Sequence, residues 1–272
     1  MAIKVSECLF EKEPKMFREI ENKANMVLMI TPVFRLIGSN LKVFIKSYAE
    51  KNSVHLKLLY LPFHDDQVWG IFYQQKGIYF IVINSDISIN KQNVALAHEF
   101  YHFIISLEED KVSAMDILKE NSVQAECSME DKKANAFSSC LLMPKDIVNV
   151  LLENKAETVE EKLFQVKLLM DVFVVPYKTA VIRLFELGCL SLEEAEYFIQ
   201  YTNSTLRDEL EKDNRFLKSV RWNNSMKNYI DIDDLPDLIK ENVEFEFISA
   251  SKADKCMKKV EEILAALKGS SE

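Results

Sequence analysis

Residues 97–103 read Ala97-His98-Glu99-Phe100-Tyr101-His102-Phe103: two histidines four apart, with a glutamate directly after the first. On an α-helix, positions i and i+4 lie on one face, so both imidazoles can hold one metal ion. Zinc lowers the pKa of a bound water to about 7. Glu99 is placed to take that water's proton and later return it to a leaving amine. With four histidines in 272 residues, chance supplies on the order of 0.006 such patterns per chain. The surrounding residues keep a helical period: Val94, Ala97, Tyr101 and Ile104 or Ile105 share an apolar stripe, and Asn90 offers an N-cap for a helix over 91–106.

Upstream of this helix lie three β-like runs, 55–61, 68–74 and 77–83, the last two rich in aromatic and β-branched residues. Gln75-Lys76-Gly77 reads as a hairpin turn between them, although it is not a strong two-residue signal. Earlier still, residues 14–25 and 33–50 read as helices joined around Thr31-Pro32. Downstream, an acidic loop-like stretch (107–111) leads to a helix over 130–142 that Pro144 stops. Thr158 with Glu161, and Ser191 with Glu194, have capping-box spacing for two further helices. Between these, Val174-Val175-Pro176 makes a turn into a helix over 177–187 that Gly188 closes. Residues 203–272 are charged, irregular over 231–237, and end in an amphipathic helix striped by Val260, Ile263, Leu264 and Leu267. The pattern predicts a predominantly helical α+β fold: one unit over 1–202 with a small sheet, and a helical C-terminal extension over 203–272.

Composition excludes several classes. Five glycines, none clustered, leave no glycine-rich phosphate cradle. With 34 basic against 43 acidic groups, a net charge of −9 and no basic block, direct nucleic-acid binding is not expected, whereas a basic protein partner remains compatible. The five scattered cysteines include no CxxC and read as free thiols of a reducing compartment. The N-terminal MAIKVSECLFEKEP breaks into charge before a signal-peptide core forms, and no apolar run approaches the roughly 18 residues of a membrane span. A cytoplasmic protein with no membrane association is expected.

A catalytic zinc site takes three protein ligands and keeps one position open. The segment Glu130-Asp131-Lys132-Lys133-Ala134-Asn135-Ala136-Phe137 places Asp131 and Asn135 on one helix face. Asp131 could bind the metal and Asn135 could hydrogen-bond a ligand histidine. Equally, an acid at a helix start could serve only the helix dipole. His64-Asp65-Asp66 is either a second metal site or a polar loop, and Tyr177 and Arg183 are candidate donors to an oxyanion. Cys127, close before Asp131, is either a regulatory thiolate or an idle thiol.

The stretch Ala95-Leu-Ala-His-Glu-Phe-Tyr-His-Phe-Ile104, followed by Lys133-Ala-Asn-Ala-Phe-Ser-Ser-Cys-Leu-Leu-Met-Pro144, resembles the ImmA/IrrE family of metallo-endopeptidases. Phe173-Val-Val-Pro-Tyr-Lys-Thr-Ala-Val-Ile-Arg-Leu-Phe-Glu-Leu-Gly188 is similar to the helix-turn-helix-like segment that follows in that family, and the likeness covers about residues 25–195. It implies a zincin-like fold, with His98 and His102 as zinc ligands and Glu99 as the general base. The third-ligand position falls on Asp131, where many members carry glutamate; neighbouring Glu130 is the substitute. The resemblance further implies cleavage of a helix-turn-helix transcriptional repressor, releasing genes of a mobile element or a stress response. A non-catalytic antirepressor that binds without cutting is the alternative. Zinc suits two histidines and a carboxylate, and manganese or iron could occupy such a set.

Overall fold

The three β-like runs pair with one another as their spacing requires. A computed structural model of the chain describes residues 5–30, 40–109, 116–119, 128–152, 156–200 and 229–269. Strands β1 (His55–Leu61), β2 (Val68–Gln75) and β3 (Ile78–Asn84) occupy the expected runs. Gln75 pairs with Ile78, leaving Lys76 (φ 52°) and Gly77 (φ 80°) as a two-residue turn with both centres left-handed. That is the turn whose twist matches a hairpin, so the Lys76-Gly77 signal is stronger than its composition suggests. β1 runs parallel to β3 from His55↔Ile78 to Leu61↔Asn84. A fourth strand, β4 (Asp116–Lys119), pairs antiparallel with β2 and completes the order β1-β3-β2-β4. Four residues are too few to show a period, so β4 has no sequence signal.

Helix α1 (Leu9–Lys12) and α2 (Pro14–Ile30) precede α3 (Leu41–Lys51), and α4 (Ile89–Glu109) follows the sheet. The Thr31-Pro32 junction lies outside the described residues. α4 starts two residues earlier than expected: Gln92 N–H donates to the Ser88 carbonyl. Asn90 is therefore inside the first turn, its amide oxygen accepting from Ser88 Oγ at 2.6 Å. One side of α4 packs on β2 and β3 and another on α5 (Met129–Leu142). Phe100 is the hub, with its ring 5.2 Å from Tyr48 and 6.1 Å from both Phe44 and Phe137. A helix covered on several sides must be apolar on several sides, and the charged or polar His98, Glu99 and His102 are buried within it.

Pro144 ends α5 and is itself the N-cap of α6 (Lys145–Leu151). Both expected capping boxes form, at Thr158 for α7 (Val159–Phe173) and at Ser191 for α9 (Leu192–Ile199). Val174 in a left-handed conformation turns the chain into α8 (Tyr177–Glu186), and Gly188 at φ 73° follows it. Arg183, 1% exposed, ties α8 to its neighbours. It donates to the Met143 carbonyl at 3.0 Å, pairs with Glu186 at 3.1 Å and reaches Glu21 at 3.4 Å.

The boundary expected near residue 203 lies outside the described residues. Beyond it, Asp231 exchanges two backbone hydrogen bonds with Tyr60 on the open edge of β1, at 2.8 and 2.9 Å. Its neighbours complete an acid-on-base seam: Lys42 pairs with Asp231 at 2.5 Å, Lys46 with Asp233, and Lys57 with Asp234 at 2.5 Å. The stretch expected to be irregular thus covers a sheet edge and runs into α10 (Leu235–Glu244), with a proline in its first turn. The final helix α11 (Ala250–Gly269) packs on α10. Among the described residues, no helix is long and apolar enough to cross a membrane.

Candidate metal centre

The helical spacing of His98 and His102 aims both rings at one point: their Nε2 atoms stand 3.1 Å apart. Two nitrogens held tetrahedrally at about 2.0–2.1 Å from zinc would be roughly 3.3 Å apart. The pair therefore suits a shared cation. His98 Nδ1 lies 3.0 Å from Asn135 Oδ1. An amide oxygen only accepts, so Nδ1 carries the proton and Nε2 is left with its lone pair. Burial and the neighbouring His98 push the His102 pKa down to about 3, which keeps its ring neutral. Neutral imidazole is the ligating form.

Asp131 is set from the start of α5. Ser128 caps that helix through a reciprocal box: its Oγ accepts from Asp131 N–H at 3.0 Å, while its own N–H and hydroxyl donate to Asp131 Oδ2 at 3.1 and 2.8 Å. The other oxygen, Oδ1, faces His98 Nε2 at 3.8 Å. One carboxylate thus caps the helix with one oxygen and faces His98 with the other, so the two readings of Asp131 do not exclude each other. The two Ser128 donors on Oδ2 favour the ionised carboxylate. The ligand atoms of His98, His102 and Asp131 all lie within 4.8 Å of one another. Two imidazole nitrogens and a carboxylate oxygen make a donor set that fits zinc.

Glu130 turns elsewhere: its carboxylate pairs with Lys133 at 2.6 Å and is 3.5 Å from the Tyr101 hydroxyl. Glu99 is completely buried, and its Oε1 would be 2.9 Å from a Cβ placed on Gly70. Neither Ser128 nor Gly70 stands out in the sequence reading. Ser128-Met-Glu-Asp131 does carry capping-box spacing, and an isolated glycine in a strand pattern signals close approach. The other candidates are used structurally. Tyr177 donates to the Phe198 carbonyl at 3.1 Å, and Arg183 is enclosed in the cluster described above. His64 N–H donates to Asp86 at 3.0 Å, and its Nε2 meets the Leu267 carbonyl at 2.9 Å. Cys127 lies outside the described residues, and Cys8, Cys140, Cys189 and Cys256 are free thiols.

The family model for M78 peptidases, described as the IrrE N-terminal-like domain, matches residues 51–185. Those residues form a domain of that family. The matched segment runs from the end of α3 through most of α8, so it contains the whole four-stranded sheet and all three residues of the candidate centre. The seam at Asp231–Asp234 and helices α10 and α11 lie beyond it. No curated protein matches the chain.

Proposed function

We propose that the protein is a cytoplasmic, zinc-dependent endopeptidase that cleaves a helix-turn-helix transcriptional repressor, releasing genes of a mobile element or a stress response. The observation that carries this reading is the convergence of His98, His102 and Asp131 within 4.8 Å, inside a peptidase-family segment, with Glu99 following the first of them in a buried helix. When bound, zinc supplies polarisation of the scissile carbonyl and lowers the pKa of water to about 7. His98 and His102 would hold the ion through their Nε2 atoms, and Asp131 would contribute the negative charge. Asn135 fixes the tautomer and direction of His98. Glu99 takes the proton of the attacking water onto a carboxylate oxygen and delivers it to the departing amine nitrogen. Its burial keeps that carboxylate out of bulk water, where its charge acts more strongly on the reacting atoms. A net charge of −9 is compatible with a basic, DNA-binding substrate.

The test incubates the zinc-loaded protein with candidate helix-turn-helix repressors from the same genome, alongside Glu99→Gln. Discrete fragments from the wild type, with Glu99→Gln binding the repressor but leaving it intact, are expected. Full derepression by Glu99→Gln would make the protein a non-catalytic antirepressor. Degradation of many unfolded peptides by the wild type would make it a general peptidase.

A further inference from the structure

We propose that Gly70 is a positioning residue for Glu99: the side chain it lacks is the space in which the carboxylate rests. The inference rests on the peptidase reading above, in which Glu99 moves the proton. Gly70 is a buried residue of β2, paired with Ile83 of β3 and Leu118 of β4. A Cβ there would stand 2.9 Å from Glu99 Oε1, 3.0 Å from Cγ and 3.3 Å from Cδ. Even alanine would therefore press on both the head and the stem of the glutamate.

Backbone conformation does not call for glycine here. Among the described residues, the glycines with positive φ are Gly77 and Gly188. A glycine inside a strand is otherwise a weakness, because it adds backbone entropy to the unfolded chain and packs nothing. Its remaining use is close approach, and the group that approaches is the Glu99 side chain. The register of β2 against β4 also shifts between Val68 and Gly70, where two steps on β2 oppose one on β4. Such a bulge bends a strand and re-aims what lies next to it. The sheet thus forms a back wall that stops the carboxylate at one depth. Moving a reacting group by about 1 Å can cost on the order of a hundredfold in rate.

The experiment is a double-mutant cycle on the full chain: Gly70→Ala, Glu99→Ala and the pair, each with zinc content and melting temperature measured. It is joined by kcat and KM of Gly70→Ala on the repressor identified by the cleavage test. Gly70→Ala is expected to keep its zinc and lower Tm by about 3 °C or more. With alanine at position 99 the same substitution should cost less than about 1 °C, because the group it strikes is gone. On substrate, kcat should fall about 10–100-fold with KM within about twofold. An equal Tm loss in both backgrounds, loss of zinc, or a kcat within about twofold of wild type would each overturn the inference. A zinc-loaded wild type that cuts nothing would instead sink the peptidase reading, and the Tm cycle would still decide whether Gly70 sets the place of Glu99.

Discussion

Asn135 and Asp131 share a face of α5 but act on His98 in different ways. Asn135 accepts from Nδ1 at 3.0 Å and orients the ring; Asp131 faces the opposite nitrogen at 3.8 Å. Removing the orienting partner of a metal-binding histidine weakens affinity about 10–100-fold. Asn135→Ala is therefore expected to bind zinc that much more weakly in chelator competition, while Asn135→Asp, which still accepts, should stay near wild type. Removing a ligand is more severe: His102→Ala and Asp131→Ala should each be recovered without the roughly one zinc per chain expected of the wild type. Metal analysis of identically prepared proteins checks this. At this scale the histidines and Glu99 were readable from the sequence, because four-residue spacing on a helix is local geometry. Gly70 was not, since what makes it matter is a carboxylate 29 positions further along the chain.

Elements begin and end here for identifiable chemical reasons, and the cap of α5 is the one with a functional consequence. Ser128 anchors the free N–H of Asp131 and two of its own donors hold Asp131 Oδ2. Loss of an N-cap hydroxyl costs about 1 kcal/mol. Ser128→Ala is expected to show that loss in denaturant unfolding, together with weaker zinc binding, because Asp131 loses the contacts that aim it. The reciprocal boxes at Thr158 and Ser191 were readable because their partners lie three residues away. Asn90 misled for the same reason: it is a good cap residue, but Ser88 is better placed, and α4 starts earlier. β4 could not be read at all, since its pairing with β2 and not its four residues makes it a strand.

At the scale of the whole molecule, two polar assemblies among the described residues differ in burial, and so differ in weight. Arg183 and Glu186 are buried together among α2, α5 and α8. Removing one partner of a buried pair leaves the other charge uncompensated, at about 3–5 kcal/mol. Arg183→Met is expected to lose stability on that scale in urea. The seam on β1 is graded. Asp233 is 8% exposed in its side chain, pairs with Lys46 and accepts from Leu58 N–H at 3.1 Å, so Asp233→Ala should cost about 1–3 kcal/mol. Asp234, 44% exposed beside Lys57, should cost no more than about 1 kcal/mol on replacement by alanine. By itself, the sequence determined the helix of His98 and His102, the three strands and the capped helices, because each of these is written in residues close together along the chain; Asp131 was assigned as third ligand only through the likeness of the 133–144 segment to the family. Only the tertiary structure decided that Asp131 and not Glu130 faces the histidines, that Arg183 is enclosed and not offered to a substrate, that Gly70 makes room for Glu99, and that the acidic stretch at Asp231–Asp234 seals a sheet edge. Those outcomes depend on which distant groups meet and how far each is withdrawn from water, and neither is encoded in local spacing.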